Sequence, residues 1–233
     1  MKTNITRDSG GVNLRRRAFL QYAGAGAASI ALLAAGCKND LADVRPKTLA
    51  SGGIDIGSGD LGILNYAYAL EQLEAAFYTQ LVATPFTGMT DHQKLLFTEI
   101  SQHEIIHREF FKAALGTNAI PALTPDFSSI NFSDRTSTLN AAKAFEDTGV
   151  AAYDGAGYLI QNTDYLTIAG KIVSVEARHA AYIRNLIKDG DYAGSDVIDS
   201  NGLNNSMTIA QVLAIANTFL KTKVSASAYN YTA

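Results

Sequence analysis

Beyond about residue 60 the apolar positions of this chain recur at helical spacing in four long blocks and one short one. In the first block Ile63, Ala67, Leu70, Phe77 and Leu81 share one stripe, which predicts a helix over 61–82 with Ser58 or Asp60 as its N-cap. The second block carries Leu96, Phe97, Ile100, Phe111 and Leu115. It starts at Thr90, where Thr90-x-x-Gln93 fits a capping box, and stops at Gly116. A third stripe of Leu139, Ala142, Phe145, Tyr153 and Ala156 predicts a helix over 137–160. Ile172, Ile183 and Leu186 predict a fourth over 164–190. The short block, capped by Thr208-x-x-Gln211, presents Val212, Ile215, Ala216 and Phe219 and is expected to pack on the outside or end of the others.

The connections set the topology. First and second helices, and third and fourth, are joined by short turns, whereas the 116–136 segment with Pro121 and Pro125 is loop and long for a helix connection. At about 3.3 Å per extended residue it outreaches a helix of about 25 residues rising 1.5 Å each. Short, long, short is therefore read as an all-α four-helix bundle with one long crossover and an additional C-terminal helix. Gly149, Gly155 and Gly157 weaken the third helix by about 1 kcal/mol each relative to Ala, a cost that close helix approach would explain.

The inward stripes also carry acids and histidines: Glu71 on the first helix, Glu104-x-x-His107 on the second, Glu146 on the third and Glu176-x-x-His179 on the fourth. Residues three apart on a helix share a face, so each Glu-x-x-His directs a carboxylate and an imidazole to one point. Glu71 lies 33 residues before Glu104 and Glu146 lies 30 before Glu176, which marks an internal repeat of two helix pairs. Four carboxylates converging in a core repel one another. Two divalent ions offset four negative charges while the histidines bind neutral, against the alternative of a metal-free bundle with a polar core. Glu74 competes with Glu71, but only Glu71 shares with Glu146 the seven-residue offset to a tyrosine, Tyr78 and Tyr153 respectively. Those tyrosines are read as partners of the ligating carboxylates, as carriers of electrons to the cluster, or as core packing. His103 lies about 100° around the helix from Glu104 and is read as supporting a ligand or as surface, and His92 as solvated.

This pattern resembles the ferritin-like di-iron or di-manganese carboxylate proteins, in which two helices give one Glu each and two give Glu-x-x-His. Leu70-Glu71-Gln72-Leu73-Glu74-Ala75-Ala76-Phe77-Tyr78 and Val175-Glu176-Ala177-Arg178-His179 further resemble a bacterial secreted branch that includes desiccation-related proteins. The resemblance covers about 60–190. It implies a ferritin-like four-helix bundle holding two Fe or Mn ions through Glu71, Glu104, His107, Glu146, Glu176 and His179, with O₂ or peroxide as reaction partners.

The ends add an address. Arg15-Arg16-Arg17-Ala18-Phe19-Leu20 resembles a twin-arginine export motif, and the apolar run over 23–35 is too short to span a bilayer. It ends in Leu33-Ala34-Ala35-Gly36-Cys37, which resembles a lipobox, so residues 1–37 read as a signal and Cys37 as a lipidated residue anchoring the protein to the bacterial cell envelope. An uncleaved anchor and a lipid-free cleaved signal are the alternatives. Residues 38–59 read as a flexible tether, 60–190 as the bundle and 191–233 as a C-terminal extension. Cys37 is the only cysteine, which excludes an intramolecular disulfide and a Cys-ligated zinc or iron–sulfur centre. With 19 basic and 22 acidic residues the chain has no nucleic-acid footprint. Three functional classes remain: a redox metalloprotein that oxidises metal or consumes O₂ or peroxide, a protein that binds metal without turnover, and a stress-protection scaffold.

Overall fold

The computed structural model describes residues 45–233. The signal read over 1–37, with Cys37, lies outside them, as does the tether up to residue 44. The described chain is mainly helical: α1 (Gly59–Ala83), α2 (Asp91–Leu115), α3 (Arg135–Ala156), α4 (Thr163–Ile187) and the short α5 (Ile209–Ala216). Each start has a chemical cause. Thr90 and Gln93 form the expected capping box before α2, and Thr208 and Gln211 do so before α5. Asp134 caps α3 by accepting from the Ser137 N–H, and Asn162 caps α4 by accepting from Asp164 and Tyr165. The α-helix of α3 ends earlier than its apolar pattern suggests and passes into a 3₁₀ turn over Gly157–Leu159. Helix α4 stops at Ile187, short of Gly190, whose φ of 80° needs a residue without a Cβ.

Helix α1 packs on α2, and α3 on α4. The direction of the pairs can be read from individual contacts. Tyr153 reaches Glu71, and the space beside Gly149 is filled by Glu74, so residue number falls along α3 as it rises along α1. These helices therefore run antiparallel. A chain that goes up α1 and down α2 and must enter α3 at the top has to return along the bundle. The crossover does so along α1: the Asn65 side chain accepts from the Ile120 N–H and donates to the Asn118 carbonyl, and two turns further on Gln72 accepts from the Leu123 N–H. Every residue of α1 from 62 to 75 is buried. A helix apolar on nearly all sides needs cover on all sides, and the crossover and the C-terminal residues supply it on the face turned away from α2. Phe77, Phe127, Phe132, Phe145 and Phe219 pack ring against ring there, with Phe77 and Phe145 4.9 Å apart and Phe145 and Phe219 4.8 Å apart.

The tether reading does not hold for residues 47–58. Lys47–Thr48 (β1) and Ile54–Asp55 (β2) form a tight hairpin, and β2 pairs in parallel with Val224–Ser225 (β3) from the far end of the chain. Ile54 and Ile56 are buried, and the Asp55 carboxylate accepts from the backbone N–H and hydroxyl of Ser227. The glycines that looked like flexibility are turn residues, Gly52 and Gly57 having φ of 82° and 87°.

Both glycines of α3 are explained by close approach, whereas Gly157, in the 3₁₀ turn after it, is not. A Cβ on Gly155 would lie 1.8 Å from the Met207 carbonyl oxygen, and one on Gly149 would lie 2.9 Å from Glu74 Oε1, whereas Gly157 meets only Leu166 at an ordinary 3.9 Å. Gly170, within α4, has nothing within 4 Å of that position. Gly155→Ala should therefore lower the melting temperature by several degrees, on the overpacking scale of about 1–3 kcal/mol. Gly170→Ala should raise it slightly, by the helix-propensity gain of up to about 1 kcal/mol. Thermal melts of the two variants check this, and equal effects would contradict the assigned packing.

Candidate metal centre

Glu71, Glu104, His107, Glu146, Glu176 and His179 meet in the middle of the bundle, one or two from each long helix. None is more than 7% exposed, and Glu71, Glu104 and Glu146 are fully buried. Their side chains form two overlapping groups. In the first, His107 Nδ1 lies 2.8 Å from Glu176 Oε1, 3.4 Å from Glu71 Oε2 and 3.7 Å from Glu104 Oε2. In the second, His179 Nδ1 lies 2.8 Å from Glu104 Oε1, 3.4 Å from Glu176 Oε2 and 3.5 Å from Glu146 Oε2. Glu104 and Glu176 belong to both groups, each turning one oxygen to either histidine. Within each group the four donor atoms lie within 4.8 Å of one another.

The orientation of these atoms matters more than their closeness. Both oxygens of Glu104, Glu146 and Glu176, one of Glu71 and the Nδ1 of each histidine are buried without a well-aligned hydrogen bond. Buried polar atoms normally have such partners. Lone pairs that converge on common points instead of on one another leave this pattern, and a cation at each point would satisfy them together. Carboxylate oxygen and imidazole nitrogen are the donors that first-row divalent ions accept. The residues present could therefore hold a metal ion, and Glu104 and Glu176 are common to both groups.

A ferritin-like domain matches the chain over residues 59–189. The chain belongs to the ferritin-like family. No curated protein matches it. The ferritin-like segment begins at the start of α1 and ends just after α4, so the strap formed by the β1–β2 hairpin before it and the α5 segment after it lie outside the matched segment.

Without metal, protons take over the task of neutralising the cluster. Burial pushes the Glu104 carboxyl up, reinforced by the charge of Glu176, to about 8. Burial likewise raises Glu146, to about 7 although His179 beside it acts in the opposite sense. Burial also disfavours charge on the two histidines, but the carboxylates around them, Glu71 beside His107 and Glu146 beside His179, outweigh it and hold both imidazoles protonated well above their ordinary range. Glu176 sits between the two and stays ionised: burial raises it, yet the paired imidazoles bring it down to about 2.

The surrounding residues divide the repeat unevenly. Glu74 is buried one turn from Glu71 but belongs to neither donor group. Its carboxyl is pushed far up by burial and by the four glutamates nearby. The place it occupies is open because the repeat puts Gly149 where the other half has Glu74, which the sequence shows once the halves are aligned. The tyrosines serve the opposite halves. Tyr153 donates to Glu71 Oε1 at 2.5 Å, and Tyr78, raised by burial and by Glu146, lies close to Glu146 but makes no hydrogen bond of good geometry. Seven residues, two helical turns, place each tyrosine beyond reach of the glutamate on its own helix. That cross-pairing follows from antiparallel packing and has no signature in one helix alone. His103 is exposed, and its Nδ1 lies 3.0 Å from His179 Nε2, while His92 is exposed in the first turn of α2.

The protonation pattern has a stability consequence. A group with a raised folded pKa contributes stability that is fully present below its unfolded value and is lost as pH rises toward the folded one. The window is 4.5 to about 8 for Glu104 and 4.5 to about 7 for Glu146, and the histidine contributions decline from 6.5 upward. Glu176 has the opposite sign and loses its contribution below 4.5. Metal-depleted protein should therefore melt highest near pH 5 and several degrees lower at pH 8, at roughly 2–4 °C per kcal/mol for a chain of this size. Saturating Mn²⁺ should flatten or invert that slope, because the ligands bind metal deprotonated. A metal-depleted protein that gains stability from pH 5 to 8 would contradict the protonated cluster.

Proposed function

We propose that the protein is an exported metalloprotein holding two Fe or Mn ions, one by Glu71 and His107, the other by Glu146 and His179, with Glu104 and Glu176 bridging both. The observation that carries this reading is the set of buried donor atoms, aimed at common points and without well-aligned hydrogen bonds. A metal pair held by these six side chains would supply one-electron redox chemistry and sites for O₂ or peroxide. The protein's part is to hold the donors in a dry core and to keep Tyr153 on Glu71 so that this carboxylate has one orientation. We assign the protein to oxidation of metal or consumption of O₂ or peroxide in stress protection at the cell envelope, tethered through Cys37. Metal binding without turnover is the fallback, since the donor set accounts for binding and leaves the reaction open.

Removing a ligand has two opposed effects, because metal affinity is lost while a buried charge that repels its neighbours is also removed. Glu104→Ala should abolish the rise in melting temperature with Fe²⁺ or Mn²⁺ and leave the metal-depleted protein no less stable. Full-length protein from membranes should contain about two Fe or Mn ions per chain and consume O₂ or peroxide; Cys37→Ser should release it from the membrane fraction. A wild type that purifies metal-free and ignores both metals in its melting would move the assignment to a scaffold.

A further inference from the structure

The repeat gives each half one Glu-x-x-His, but the surroundings of the two histidines differ. His179 Nε2 lies 3.0 Å from His103 Nδ1, the two rings lie within 8° of parallel, and their centroids are 5.2 Å apart. His103 immediately precedes Glu104 on α2, and the residue that immediately precedes Glu176 on α4 is Val175. Valine has no side-chain donor or acceptor, so the repeat does not offer His107 the same support.

We propose that His103 is a positioning residue that makes the two metal positions unequal, the one served by His179 being the tighter. This rests on the metal-pair reading. A neutral imidazole that binds metal through Nδ1 carries its proton on Nε2 and needs an acceptor for it, and such a partner fixes both the tautomer and the plane of the ring. For His179 that acceptor is His103 Nδ1. The same requirement places the remaining proton of His103 on its Nε2. His179 is then held with Nδ1 toward Glu104, Glu146 and Glu176 before any ion arrives, so less freedom is lost on binding at this position than at the one served by His107. His103 is exposed, so its replacement removes the acceptor without opening the core.

The test is titration of the metal-depleted full-length chain with Mn²⁺, with free Mn²⁺ followed by its electron paramagnetic resonance signal. Wild type should bind in two steps of different affinity. His103→Leu should weaken the tighter step on the order of 10- to 100-fold, the range expected for loss of an outer partner of a ligand histidine, and leave the weaker step unchanged. His103→Asn, whose Oδ1 replaces the Nδ1 acceptor, should recover most of the loss. The proposal is overturned if His103→Leu binds like wild type, if it weakens both steps equally, or if His103→Asn performs no better than His103→Leu. A wild type that takes up no Mn²⁺ at all overturns the metal-pair reading and the proposal with it, and is told apart from the other failures because no variant is needed to see it.

Discussion

Buried charge is the constraint on which the rest of this structure depends. Five glutamates, Glu71, Glu74, Glu104, Glu146 and Glu176, are sunk in the core of one bundle with little access to water. Carboxylates so placed must be neutralised by protons, by cations or by both. The two histidines are placed so that each faces three of the glutamates, and the donors are left without competing hydrogen bonds. Proton and metal are alternative occupants of the same electrostatic need. Folding, and any metal uptake at these donors, would for that reason be coupled through pH.

Much of the architecture serves to keep this cluster dry and aligned. Helix α1 is enclosed on all sides because the crossover lies along it and the strap at Ile54–Ile56 pairs with the chain's other end at β3. Asn65 and Gln72, the polar residues of α1 on that side, bond the crossover backbone and leave no unpaired backbone N–H at Ile120 or Leu123. Gly149 admits the fifth carboxylate, and Gly155 lets the segment leading into α5 dock on α3. The arrangement is a ferritin-like bundle with its outer face closed by its own crossover together with residues from beyond the family segment.

The bundle and the converging side chains were legible because they repeat a local rule. Helical periodicity placed the apolar stripes, Thr90 and Thr208 announced their caps, and Glu-x-x-His at three-residue spacing marked one face of α2 and of α4. The strap was not legible. Strands of two residues show no alternation, and the partner of Ile54 lies at Val224, so glycine and serine suggested flexibility where they form turns. The tyrosine pairing failed to show for a related reason: Tyr153 belongs to Glu71 across the bundle, and only the antiparallel direction of α1 and α3 makes that pair. Glu74 was a competitor in sequence because one helical turn separates it from Glu71, and geometry assigns it to the space beside Gly149 instead.

Anomalous X-ray scattering from crystals of the protein loaded with Mn²⁺ addresses the central claim most directly. The account predicts two peaks in the core, both between Glu104 and Glu176, one beside His107 with Glu71 and the other beside His179 with Glu146, separated by roughly 3.5–4 Å as in other two-metal sites. Manganese bound elsewhere on the protein with no peak among these six residues would contradict it.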